Sequence, residues 1–231
     1  MQSIRRRRYF RTAAAAAGLA ACALGVRPAR AQVSGRVTVT DAGGKPATDI
    51  GNAVLYLEGA GPGARPVTAE MTLNGRTFTP RVAVVPVGST LSFPNHDPFN
   101  HNVFSVSEAN AFDLGLYGLG RVESHRFRHP GVVRVYCNIH PRMSGFVLVV
   151  ESAYFTHPSA DGTYAIADVA PGSYVLHVWH ERAPEVTRRI TVTAGGLTDV
   201  DVTLDASGYK EVPHKNKYGQ EYGSGATRER Y

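Results

Sequence analysis

Between Gln32 and Asp205 the chain is interrupted every few residues by glycine, proline or aspartate, and no segment keeps a helical period. The runs between these breaks are β-branched or alternate in polarity. They are RVTVT (36–40), AVLYL (53–57), RVAVVPV (81–87), HNVFSV (101–106), VVRVYC (132–137), GFVLVV (145–150), TYAIAD (163–168), SYVLHVW (173–179), RRITVT (188–193) and TDVDVTL (198–204). DAGGKP, EGAGPGARP, PVGS, HPG, SADG, APGS and AGG separate them as turns. The pattern predicts an all-β chain of sandwich type with material for two small cores, and at most one helical turn near Glu108–Leu114. Residues 206–231 are polar and nearly without aliphatics, which predicts a disordered tail.

The first 31 residues read as an export leader. Arg5–Arg8 and Arg11 precede an apolar run from Ala13 to Val26, and Ala29-Arg30-Ala31 forms an A-x-A site before Gln32. The run is shorter than the ~20 residues a membrane span needs, and RRYFR at 7–11 resembles a twin-arginine signal. LAAC at 19–22 offers a second processing route, a lipid anchor on Cys22. Cleavage after Ala31 changes the charge. The leader holds seven arginines and no acid, so 18 basic residues remain against 19 acidic ones and the +6 of the whole chain becomes −1. A balanced mature chain gives no reason to expect a nucleic-acid partner. Cys22 leaves with the leader, so Cys137 has no internal disulfide partner in an oxidising compartment.

Metal ligation gives that thiol a role. Cys137, His140 and Met143 follow C-x2-H-x2-M, and Pro141 keeps the loop from continuing as a helix. A thiolate and an imidazole with a long thioether are most of a blue-copper donor set, which lacks only a second histidine. FPNHDPFNHNVFSV (93–106) supplies His96 and His101. His101 is preferred because Asn102 and an apolar strand follow it. His177 and His180, flanking Trp179, are the other pair able to share a weak metal patch.

HNV at 101–103, together with C-x2-H-x2-M at 137–143, resembles the cupredoxins, and the loop spacing is most similar to amicyanin. TFTPRVAVVPVGSTLSFPN (77–95) resembles the strand pair before the first copper histidine of plastocyanin-type domains. The resemblance covers roughly residues 66–151 and implies one mononuclear type 1 copper site. Its equatorial ligands would be His101, Cys137 and His140, its axial ligand Met143, and Asn102 would tie the ligand loops together. It further implies an electron port at His140, Pro141 and Phe99, and a periplasmic dehydrogenase, oxidase or cytochrome as partner. The chain departs from the family in a long segment, 106–126, able to cover the site.

Residues 33–59 and 159–179 resemble the two halves of a carboxypeptidase-regulatory-like, transthyretin-like sandwich, with residues 60–158 between them. The implied organisation is a cupredoxin Greek-key sandwich (66–151) inserted in, or abutting, a regulatory-like sandwich (32–65 and 152–205). This combination resembles periplasmic proteins labelled as methylamine-utilisation proteins, a label that names no substrate. No Ser-His-Asp order, phosphate loop or HExxH is present, so an enzyme is not expected. Copper handling without electron transfer, and an envelope-binding module with an incidental or zinc-filled site, are the competing functions.

Overall fold

The computed structural model describes residues 31–59 and 61–222. Residues 1–30 of the expected export leader (1–31), Cys22 among them, and residues 223–231 of the tail lie outside the described residues. The chain is all-β, as its turn spacing predicts. Its only helical pieces among the described residues are 3-10 turns at Ala42–Gly44, Ile50–Asn52 and Glu108–Asn110. The helical turn expected at 108–114 is therefore one such turn, followed by the short strand Phe112–Asp113.

Two pairs of sheets enclose two cores. In the first, Ala31–Thr40 lies between Thr163–Val169 and Val202–Asp205, antiparallel to one and parallel to the other. It faces a sheet ordered Phe155–Thr156, Val54–Gly59, Gly172–His180, Ala183–Val192. Val33, Val37, Leu55, Leu57, Ile166 and Leu176 are among the residues buried between them. In the second pair, the sheet order is Val82–Pro86, Ser144–Val150, Gly131–Cys137, Val103–Ser105, Phe112–Asp113. It faces Val122–Arg126, Thr90–Pro94 and Thr68–Glu70. Met71, Leu91, Phe93, Phe127, Val133 and Val147 fill this second core, together with Cys137 and Met143. Strand Val122–Arg126 falls within the segment expected as a long connection. It pairs with Thr90–Pro94 alone and so forms a sheet edge, which a sequence of polar residues such as VESHR conceals.

Side-chain alternation joins the two halves. Successive residues of a strand point to opposite faces, so Leu55 and Leu57 enter the first core while Val54 and Tyr56 face the other way. Ala83 and Val85 enter the second core, and Val82 and Val84 point out of it. In Ser144–Val150, Val147 and Val149 point into the second core, and Phe146 and Leu148 point out. The outward sets meet each other and Trp179 in a third apolar cluster. Beside it, Arg81 makes a bidentate pair with Glu181 (2.6 and 2.7 Å), whose side chain is only 3% exposed.

The chain crosses between the halves at two adjacent places. Gly63 bridges Ser152, and the Ala64 N–H donates to the Glu151 carbonyl at 3.0 Å.

The tail departs from expectation. Ala206 is buried, and residues 214–222 lie against the second pair of sheets. His214 stacks on Tyr136 with ring centroids 4.3 Å apart, and Lys217 pairs with Asp113 at 2.6 Å. Low aliphatic content suggested disorder, but aromatic stacking and hydrogen bonds hold this segment in place.

Leu148→Ala should open a cavity at the junction and lower stability by about 2–5 kcal/mol. Urea denaturation checks it, and a loss under about 1 kcal/mol would mean that the two halves barely support each other there.

Candidate metal centre

Strand ends bring the donors together. Cys137 is the last residue of Gly131–Cys137, and His101 lies just before Val103–Ser105, its neighbour in the sheet. The loop from 138 to 143 closes on itself, because the Cys137 N–H donates to the Met143 carbonyl (3.1 Å) and the Met143 N–H to the His140 carbonyl (2.9 Å). Ligand atoms of His101, Cys137 and His140 all lie within 4.8 Å of one another. The Cys137 Sγ is 3.5 Å from His101 Nδ1 and 3.4 Å from His140 Nδ1. An ion about 2.3 Å from sulfur and about 2.0–2.1 Å from each nitrogen, at roughly tetrahedral to trigonal angles, makes such edges about 3.5–3.8 Å long. The two sulfur–nitrogen edges therefore match those around a bound metal ion.

His101 and Cys137 are fully buried, Met143 is 2% exposed, and His140 is half-buried. Burial pushes the His101 pKa down, with Asp97 opposing the shift in part. Burial pushes the Cys137 thiol up, against backbone N–H groups of Asn102, Ile139 and His140 directed at the sulfur. Without a metal, both effects favour neutral donors, and a bound ion would drive the thiol proton off.

Phe99 stands against both imidazoles, its centroid 5.4 Å from each ring, and the His101 and His140 rings are 4.8 Å apart. Pro141 beside it is half-buried, and Ile139 is exposed. Asn102 reaches two ways. Its carbonyl accepts the Asn138 N–H at 2.9 Å, and its side-chain amide donates to Asp113 (2.6 Å) and to the Gly115 carbonyl (2.9 Å). The 106–126 segment lies alongside the first histidine, since His101 and Tyr117 exchange backbone hydrogen bonds of 2.9 and 3.0 Å.

His96 is exposed and outside the donor group. His177 and His180 are not brought together. His177 bonds Glu58 and Glu185 at 2.9 Å each, while His180 lies 3.3 Å from the Asp49 carbonyl.

Three contacts at the site have little or no signal in the sequence. The buried Asp97 carboxylate lies 2.9 Å from His101 Nε2, four residues along the chain in NHDPFNH. That spacing is its only local signal. From the tail, the Tyr222 hydroxyl donates to the Cys137 carbonyl at 3.1 Å, and Lys217 N–H donates to Asn138 Oδ1 at 2.9 Å. Nothing local in a sequence separated by 85 residues signals the first of these.

No protein-family model and no curated protein matches the sequence. Among solved structures, part of the chain is similar to cupredoxins. A novel purple cupredoxin from Nitrosopumilus maritimus is 28% identical over 36% of this chain and 99% of its own, with a TM-score of 0.33. A Cu-containing nitrite reductase from Thermus scotoductus SA-01 is 31% identical over 38% of this chain, which spans 23% of that protein, with a TM-score of 0.34. A reduced amicyanin variant is 23% identical over 36% of this chain and 82% of its own, with a TM-score of 0.34.

Tyr222→Phe should cost about 0.5–1.5 kcal/mol, the worth of one hydrogen bond, while Tyr218→Phe, at an exposed ring, should cost nothing measurable. Equal stabilities of the two variants in urea would mean that the tail does not hold the ligand loop.

Proposed function

We propose that the protein is an exported, periplasmic type 1 copper protein that carries single electrons between redox partners. The observation that carries this reading is the convergence of two imidazole Nδ1 atoms on one buried thiol, at 3.5 and 3.4 Å from its sulfur. Copper bound there would supply one-electron chemistry between Cu(II) and Cu(I).

The chain's own residues account for the rest. His101, Cys137 and His140 would hold the ion in both oxidation states, with the Met143 thioether as a weaker fourth donor. Zinc accepts two histidines and a cysteine, but a thioether in fourth place favours copper. The sheet ends and the loop's own hydrogen bonds hold these residues, so little need move when an electron arrives. The core excludes water from Cys137, while the half-buried His140 ring, beside Phe99 and Pro141, offers the shortest route to the surface. A dehydrogenase, oxidase or cytochrome would dock at that edge.

The arginine-rich leader with its A-x-A site supports export. Among the described residues no helix is long and apolar enough to cross a membrane. Two separate core clusters, with the chain crossing between them at adjacent points, support a copper domain of residues 66–151 inserted into a regulatory-like sandwich of 32–65 and 152–205. A fragment of residues 66–151 should fold and bind copper by itself. A fragment that is soluble but unfolded by circular dichroism would mean that the halves need each other.

Adding Cu(II) should produce an intense charge-transfer band that Cys137→Ala abolishes, His101→Ala weakens or reshapes, and His96→Ala leaves unchanged. A colourless wild type would overturn the copper reading. Met143→Leu should keep the fold and raise the reduction potential, because the thioether supports Cu(II) more than Cu(I). An unchanged potential in film voltammetry would make Met143 core filler. A coloured protein that exchanges no electrons with a cytochrome would point to copper handling instead.

A further inference from the structure

We infer that Asp97 is a positioning residue of this centre: it accepts the Nε2 proton of His101, leaves Nδ1 bare toward Cys137, and biases a bound copper ion toward its oxidised state. The last clause rests on the copper reading proposed above, and the first two do not.

Asp97 is 4% exposed, and each of its oxygens is engaged. Oδ1 accepts the Gly75 N–H at 2.7 Å, and Oδ2 accepts the Arg76 N–H at 3.0 Å and faces His101 Nε2 at 2.9 Å. The two N–H groups belong to the turn between strands Thr72–Asn74 and Thr77–Thr79. From the other side, the Asp97 N–H donates to Asn95 Oδ1 at 2.9 Å, and the Asn95 amide donates to the carbonyls of Phe99 (2.9 Å) and Tyr117 (3.2 Å). The carboxylate is thus fixed from two directions before any metal arrives.

Both Asp97 oxygens already act as acceptors, Oδ1 for the Gly75 N–H and Oδ2 for the Arg76 N–H. The oxygen that faces His101 is thus presented as an acceptor, and the hydrogen of the 2.9 Å contact belongs to Nε2. The tautomer then follows: Nδ1, 3.5 Å from the Cys137 sulfur, carries the lone pair. A carboxylate on the far nitrogen of a metal-bound histidine also makes the ring a stronger donor. A stronger donor and a nearby negative charge both favour the more highly charged metal.

Long-range proton–nitrogen NMR of the metal-free wild type reads the tautomer directly. The expected result is a protonated Nε2 and a bare Nδ1 on His101, and a proton on Nδ1 would overturn the assignment whether or not the protein uses copper. In the copper-loaded protein, Asp97→Asn keeps an acceptor for His101 and removes the charge. The ratio of Cu(I) to Cu(II) affinity should rise about tenfold, which for one electron is about 59 mV. A correctly folded Asp97→Asn with unchanged potential would overturn the bias. The wild-type tautomer decides the positioning role even if that variant does not fold. A wild type with the expected tautomer but no charge-transfer colour would uphold Asp97 as the residue that orients His101 while removing the copper reading.

Discussion

Burial of Ser144–Val150 on both faces is the contact that organises the molecule. Its odd-numbered valines complete the core that holds the metal donors, and Phe146 and Leu148 meet the outer face of the other sandwich. A strand with only one packed face would alternate in polarity; this one reads as an unbroken apolar run, GFVLVV, because both faces pack against protein. It also fixes the donor loop, since its first residues directly follow Met143 and its partner strand ends in Cys137. Rigidity at the site is inherited from a sheet clamped between two cores.

The electrostatics of the centre follow from that burial. A thiol and an imidazole removed from water are both pushed toward neutrality, so the folded chain needs no ion to neutralise charge among its donors. What it supplies instead is direction: backbone N–H groups aimed at the sulfur, and a carboxylate on the far side of His101. These dipoles and charges are set by sheet and turn geometry and cost no rearrangement when a ligand binds.

Much of the fold was legible because strand and turn chemistry is local. All ten runs read as strands overlap observed strands. RVTVT, GFVLVV and SYVLHVW fall within Ala31–Thr40, Ser144–Val150 and Gly172–His180. The C-x2-H-x2-M spacing likewise carried its own meaning, and its histidine and cysteine lie with His101 in one group. What escaped was nonlocal or polar. VESHR pairs as an edge strand through backbone bonds that its side chains do not advertise. The tail's lack of aliphatics predicts disorder, yet Tyr222, His214 and Lys217 anchor it by hydrogen bonds, stacking and charge. Asp97 carries little signal in the sequence, because a carboxylate is not a soft-metal ligand and its role passes through a neighbour.

The adjacent crossings at Gly63 and Ser152 bear on how the chain reaches this structure. Val54–Gly59 pairs with Gly172–His180, so the first sandwich closes only across more than a hundred intervening residues. Closing a flexible loop of that length costs about 4 kcal/mol in chain entropy beyond a constant. Once the intervening strands have folded, their ends emerge side by side and the remaining loop is effectively a few residues long. The order of assembly is thereby biased from the inside out. By that bias the sandwich that begins first in sequence would be the last to close.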